Sequence, residues 1–285
     1  MNDTKKKTKF DLLSIAEYEK TAEISYFQTS DGTQIRYLQS KVKKDRNNKY
    51  TLVLIAGWAS IVLGWDDVLT EAQSYFDIVY IETREKGTSI ITKKSKFDIE
   101  RFTLDIKELF EYLKLDQNRV IIITSSFSSM LVAYMLKNKM ISPFLSVFIG
   151  PIERIPLPRS LKIVLAILPN WLYTLAKPVG IWWVRHFKAE DEEHAAKYTQ
   201  AIKEGDPYKW KQSSKYFSNR YFWVVYTGFE DKVLVIDESV DRMHDTKITQ
   251  QIKEMISNCE YIDLETNKNT HSKPIIDTIR KYIEK

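Results

Sequence analysis

The serines at positions 125, 126, 128 and 129 follow directly on Val120-Ile121-Ile122-Ile123-Thr124 and lead without a break into Met130-Leu131-Val132-Ala133. A β-favouring run that turns sharply into a helix-forming run can hold a serine at the corner, where a tight turn presents its Oγ as a nucleophile. The corner falls at Ser126; Ser125 precedes it and Ser129 lies a turn into the helix. Serines also collect at ordinary turns, so this stretch alone leaves both readings open. A serine nucleophile needs a base, and the chain has four histidines: His186, His194, His244 and His271. His194 sits among Glu190, Asp191, Glu192 and Glu193 and reads as an exposed surface residue, whereas His186 follows two tryptophans and suits either packing or substrate contact. A base needs an orienting acid, and Asp237, Glu238 and Asp241 cluster after the apolar run Lys232-Val-Leu-Val-Ile.

The whole chain bounds what these groups can belong to. Its 285 residues, 44% hydrophobic and 13% aromatic, are enough for one large packed unit and argue against disorder. The net charge of +5 is mild, and much of the excess lies in Lys5–Lys9 and Lys41–Lys49, which read as solvated lysine-rich stretches and not as a nucleic-acid surface. One cysteine, Cys259, allows neither an internal disulfide nor a cysteine zinc cluster. The first ten residues carry charge with no apolar run behind them, so no secretory signal is expected and a cytoplasmic setting fits.

The elements that would position the candidate groups alternate regularly. A polar lead-in (1–21) precedes a strand–turn–strand around Asp31-Gly32. Buried-strand runs follow at Tyr50–Ala56, Phe76–Glu82, Arg119–Thr124 and Leu145–Gly150. Helices are predicted between them at Trp65–Tyr75, Phe97–Leu115 and Phe127–Asn138. The alternation stops at Pro151 and resumes with the strand Lys232–Asp237, a helix at Thr246–Ser257, a strand at Cys259–Leu264 and a last helix from Lys273. The expected fold class is therefore α/β: a mostly parallel twisted sheet with helices on both faces, formed by 22–150 and 228–285 and interrupted by a helical insertion at 151–227.

In this order the chain resembles a serine hydrolase of the α/β-hydrolase superfamily with a cap inserted after the sixth strand, over about residue 22 to the C-terminus. Ala56-Gly57-Trp58 stands where the family usually has His-Gly and a following residue; Glu82-x-Arg84-x-x-Gly87-x-Ser89 resembles D-x-R-G-x-G-x-S with Glu85 for a glycine; Thr124-Ser125-Ser126-Phe127-Ser128 stands for G-x-S-x-G with both glycines replaced. The resemblance implies Ser126 as nucleophile, Asp241 as the acid with Asp237 and Glu238 as rivals, and His271 as the base. It also implies an oxyanion hole from the backbone N–H groups of Trp58 and Phe127. Thr124 implies a wider crossing or a shifted strand at the elbow, and the Arg84 loop a structural brace.

The implied activity is cleavage of a carboxylic ester or thioester with a hydrophobic acyl part, through an acyl-serine and with no metal or organic cofactor. The alternatives are acyl transfer on the same triad and a catalytically silent binding protein. Within the insertion, Leu157–Phe187 is rich in Leu, Ile and Trp, but Pro169 and Pro178 are expected to break it into three short amphipathic pieces and not a membrane span. Trp171, Trp182 and Trp183 are the candidate substrate-binding side chains, either lining an acyl pocket or touching a membrane surface peripherally.

Overall fold

The computed structural model describes residues 16–43, 49–157, 169–187, 191–240 and 245–284. The β-branched and aliphatic runs form eight strands: β1 Glu23–Gln28, β2 Gln34–Ser40, β3 Thr51–Ile55, β4 Asp77–Ile81, β5 Val120–Ser125, β6 Leu145–Ile149, β7 Val233–Asp237 and β8 Cys259–Asp263. They make one sheet in the order β1-β2-β4-β3-β5-β6-β7-β8. The β1–β2 and β2–β4 pairs are antiparallel and every later pair is parallel.

Alternation along the strands divides the core. Val53 and Ile55 point to the face covered by α3 (Ile99–Tyr112) and α4 (Phe127–Lys137), while Leu52 and Leu54 join α2 (Asp66–Ala72) and α10 (Lys273–Ile283). On α3 the buried Phe102, Ile106, Leu109 and Phe110 recur at helical spacing, and Asp98 caps the helix by accepting from the Arg101 N–H. The other α-helices among the described residues are α1 (Glu17–Thr21), α5 (Asn170–Phe187), α6 (Glu192–Glu204), α7 (Pro207–Phe217), α8 (Thr246–Met255) and the short α9 (Asn267–Thr270).

Parallel register sets where the chemistry can be. Ile55 pairs with Thr124, Thr124 with Phe148, and Ile149 with Ile236, so β3, β5, β6 and β7 end at the same level. The residues just beyond those ends, Gly57-Trp58, Ser126 and Glu238, therefore share one edge of the sheet. Helices α5, α6 and α7 lie between β6 and β7 in the chain, inside the stretch predicted as the insertion. One expectation fails there. Pro178 does not end a helix; it lies inside the 18-residue α5. The carbonyl it cannot serve belongs to Thr174, on an exposed turn where water can take over, and Lys177 ties this turn to the end of α6 through the carbonyls of Lys203 and Gly205, both at 2.8 Å. No helix among the described residues is long and apolar enough to cross a membrane.

The predicted Arg84 brace is present, and Asp105 is its carboxylate. Arg84 is fully buried and grips both carboxylate oxygens of Asp105 at 2.6 and 2.7 Å, while Glu82 pairs with Arg36 at 3.0 Å. Arg84 also reaches Asp31 at 3.0 Å. Burial works to raise the Asp31 pKa, but the bonds from Arg84, Thr29 and the Thr33 N–H outweigh it and hold the carboxyl well below its usual range. A lowered carboxylate pKa gives stability that is complete above the ordinary value of about 4 and is lost as the pH falls from there towards the folded value. Asp31→Asn should therefore lower Tm at neutral pH, and the gap from wild type should close below about pH 4. A gap that stays constant through the acid range would refute this.

Candidate active site

Ser126 is the N-cap of α4 and has φ 54° and ψ −111°. A non-glycine residue there costs about 1–3 kcal/mol and persists only where neighbours fix it. They do: the Ser126 N–H donates to the Ile149 carbonyl at 2.8 Å, and its carbonyl accepts from Ser129 N–H at 3.2 Å. Thr124 does not shift the strand, since β5 stays in register with both neighbours. Its hydroxyl instead bonds the Val147 carbonyl at 3.0 Å and Ser129 Oγ at 2.9 Å. Ser128 donates to the Ile55 carbonyl at 2.5 Å and accepts from Ser125 N–H at 3.0 Å. Where glycines would let strand and helix cross, hydroxyls here tie them together. That arrangement buries Ser128 and Ser129 fully and leaves Ser126 on the wall of a cavity.

Trp58 and Phe127 flank this corner. The Phe127 N–H is the first of α4, where no helical carbonyl is available to it and the helix dipole is positive. The Phe127 ring points the other way, packed edge-on to Phe102 and Phe217 in the core. The Gly57-Trp58 loop lies tight against the elbow: a Cβ on Gly57 would come within 3.0 Å of the Ser125 carbonyl oxygen. Trp58 is fixed by an Nε1 bond to Ser213 Oγ at 2.9 Å and by the Trp210 ring at 5.3 Å.

His271 follows α9 and lines the same cavity as Ser126. Its ring packs on Trp65 with centroids 4.1 Å apart. Around Nδ1 stand Thr270 Oγ1 at 2.9 Å, the Asn267 carbonyl at 3.0 Å and a Glu238 carboxylate oxygen at 3.7 Å. These acceptors assign the ring proton to Nδ1 and leave the Nε2 lone pair as the basic site. Glu238 is fully buried, and the same oxygen accepts from Thr270 Oγ1 and from Asn267 Nδ2 at 3.2 Å. Asp237 is occupied elsewhere, accepting from Tyr261 OH at 2.7 Å and Glu238 N–H at 2.9 Å; burial raises its pKa. Asp241, expected as the acid, lies outside the described residues, as does His244. Among the described residues, the carboxylate beside His271 is Glu238.

The cavity holds about 370 Å³. Ser126 and His271 form part of its wall with Trp58, Ile61, Val184, Ile202 and Trp210, so most of the surface is apolar. Helix α6 supplies His194, Tyr198, Ala201 and Ile202, and Lys197 of this helix pairs with Asp67 of α2 at 3.2 Å. His194 is thus a half-buried wall residue and not the exposed one expected. The signal was present: positions 194, 198, 201 and 202 repeat at i, i+4, i+7 and i+8, but the acidic run before them hid the stripe. The pocket reading of Trp182 and Trp183 needs the opposite correction. Trp182 and Trp183 are 54% and 45% exposed and do not line the cavity; Val184, the next residue round the helix, does. The Trp171 side chain lies outside what is described. The described residues contain no group of His, Cys, Asp and Glu that could hold a metal ion.

No family model matches the chain, and no curated protein is similar to it in sequence. Solved structures do match. An esterase from Rhodococcus sp. ECU1013 superposes with a TM-score of 0.70 at 16% identity, covering 92% of this chain and 98% of that one. A hydrolase from Pseudomonas aeruginosa PA01 gives 0.69 at 15% identity over 90% and 96%. A bromoperoxidase from Bacillus anthracis gives 0.69 at 16% identity over 93% and 100%. An eight-stranded, mostly parallel sheet with this strand order, matched along nearly its whole length, gives the chain the α/β-hydrolase fold.

Proposed function

We propose that this protein is a serine hydrolase that cleaves a carboxylic ester or thioester with a hydrophobic acyl part. Because esterases and a bromoperoxidase share the fold, the fold itself does not carry the reading. It rests on one observation: Ser126, at positive φ, faces the same largely apolar cavity as His271. In the proposed reaction, Ser126 Oγ attacks the carbonyl carbon as its proton passes to His271 Nε2. The Trp58 and Phe127 N–H groups receive the charge that develops on the carbonyl oxygen. Collapse of the tetrahedral intermediate breaks the bond to the alcohol or thiol, which leaves with the proton from His271. Water then attacks the acyl-serine by the same route and releases the acid. Glu238 takes the orienting role given to Asp241 by sequence, because its carboxylate lies beside His271. The cap role predicted for 151–227 is proposed for α5 to α7, whose Val184, Ile202 and Trp210 would contact the acyl part.

The direct test is a fluorophosphonate probe followed by peptide mass spectrometry. We expect one covalent adduct on the peptide carrying Ser126. An adduct on Ser125 would move the nucleophile by one residue, and no adduct would favour the silent binding protein.

A further inference from the structure

We infer that Lys86 is a positioning residue for the oxyanion donor Trp58, acting through the peptide that links Gly57 to Trp58. A trans peptide holds its C=O and N–H in opposite directions, so fixing one end aims the other. The chain has no cis peptide among its described residues, and the Gly57 carbonyl is held twice: by Lys86 Nζ and by Ser60 N–H at 3.1 Å. The N–H at the far side of that peptide is the one the proposed mechanism aims at the oxyanion. A cation on the carbonyl also draws electron density from the amide, which makes its N–H a stronger donor.

Lys86 is built into the structure and is not a surface residue folded inwards. Its side chain is 3% exposed, and Glu85, fully buried, balances its charge at 3.0 Å. Helix α7 clamps the loop that carries it: Lys209 Nζ donates to the carbonyls of Lys86, Gly87 and Ser89 at 2.9, 3.2 and 2.5 Å. The same helix holds the other side of the donor through the Trp58–Ser213 bond. Gly87 packs so closely on α6 that a Cβ there would meet the Glu204 carbonyl oxygen at 2.1 Å. A buried ammonium needs partners, and the Gly57 carbonyl is the partner that gives this one a catalytic consequence.

This inference rests on the serine-hydrolase reading, and the test separates the two. Lys86→Met alone strands a buried Glu85 carboxylate, so the informative variant is Lys86→Met with Glu85→Gln, which removes the pair together. Measurements on the full chain are Tm, steady-state kinetics on a p-nitrophenyl ester, and inhibition by a boronic acid that forms a tetrahedral serine adduct. The double variant should keep its fold and its KM within a few-fold, while kcat falls about 10²- to 10³-fold, as when an oxyanion donor is lost. Boronate affinity should weaken by a similar factor. Unchanged kcat and boronate affinity in the folded variant would overturn the role of Lys86. So would equal changes in kcat and KM that follow a drop in Tm. A wild-type protein that neither labels with fluorophosphonate nor turns over ester would overturn the hydrolase reading itself, and the inference with it.

Discussion

Ser126→Ala and His271→Ala should each lower kcat on a p-nitrophenyl ester by about 10⁴- to 10⁶-fold, and combining them should cost almost nothing more. The size follows from what each change removes. Without Ser126 Oγ no acyl-enzyme can form; without His271 the hydroxyl keeps its proton and attacks as a poor nucleophile. Losses that depend on one proton transfer do not add, so the double variant is the sharper measurement. What survives should be the contribution of the Trp58 and Phe127 N–H groups and of binding in the cavity, which depend on neither side chain. Two controls separate chemistry from packing. His194 forms part of the cavity wall, so His194→Ala should act mainly on KM. His244→Ala should do far less than His271→Ala. Multiplicative losses in the Ser126/His271 pair would mean that the two residues do not work on one proton, and similar losses from His244→Ala would mean that the base is misassigned.

Much of this arrangement was legible in the sequence because it depends on local patterns. Continuous β-branched runs such as Val120–Thr124 can hardly be other than buried strands, and the order of strands and helices from residue 50 to 150 left few topologies. The corner at Ser126 was readable for the same reason, since the apolar pattern changes period there. Less legible was whatever depends on contacts far apart in the chain. Nothing local to Lys86 shows that its ammonium reaches the Gly57 carbonyl 29 residues earlier. Nothing near Arg84 shows that its carboxylate partner is Asp105, 21 residues later. The pocket reading of Trp182 and Trp183 fails in a different way. Aromatic residues in an apolar stretch suggest a binding wall, but a helix presents residues all round its axis, and the turn of α5 puts Val184 in the cavity with Trp182 and Trp183 outside. At the elbow, counting missing glycines overstated the problem. Thr124 adds a methyl where glycine is usual, yet its hydroxyl, like that of the small Ser128, bonds a backbone carbonyl that the crossing brings within reach.

The choice between acids has a correspondingly direct consequence. Glu238→Gln should reduce kcat by about 10⁴-fold with little change in Tm, while Asp241→Asn should leave kcat within a few-fold of wild type. The amide is the right replacement because Glu238 is fully buried, and truncation to alanine would open a void whose effects could not be told from chemistry. In the native site one carboxylate oxygen of Glu238 accepts from Thr270 Oγ1 and Asn267 Nδ2 and lies 3.7 Å from His271 Nδ1. Those contacts do two things. They anchor the short α9 turn that presents the imidazole, and they place negative charge where the imidazolium forms. An amide of the same shape keeps the first through its oxygen and loses the second. Thr270→Val separates the direct contribution from the bridged one. It removes the hydroxyl between the carboxylate and the ring while leaving the charge in place, so its loss should be clearly smaller than that of Glu238→Gln. If Asp241→Asn proves the damaging change and Glu238→Gln does not, then the acid is the one the sequence resemblance chose, and Glu238 is confined to holding α9.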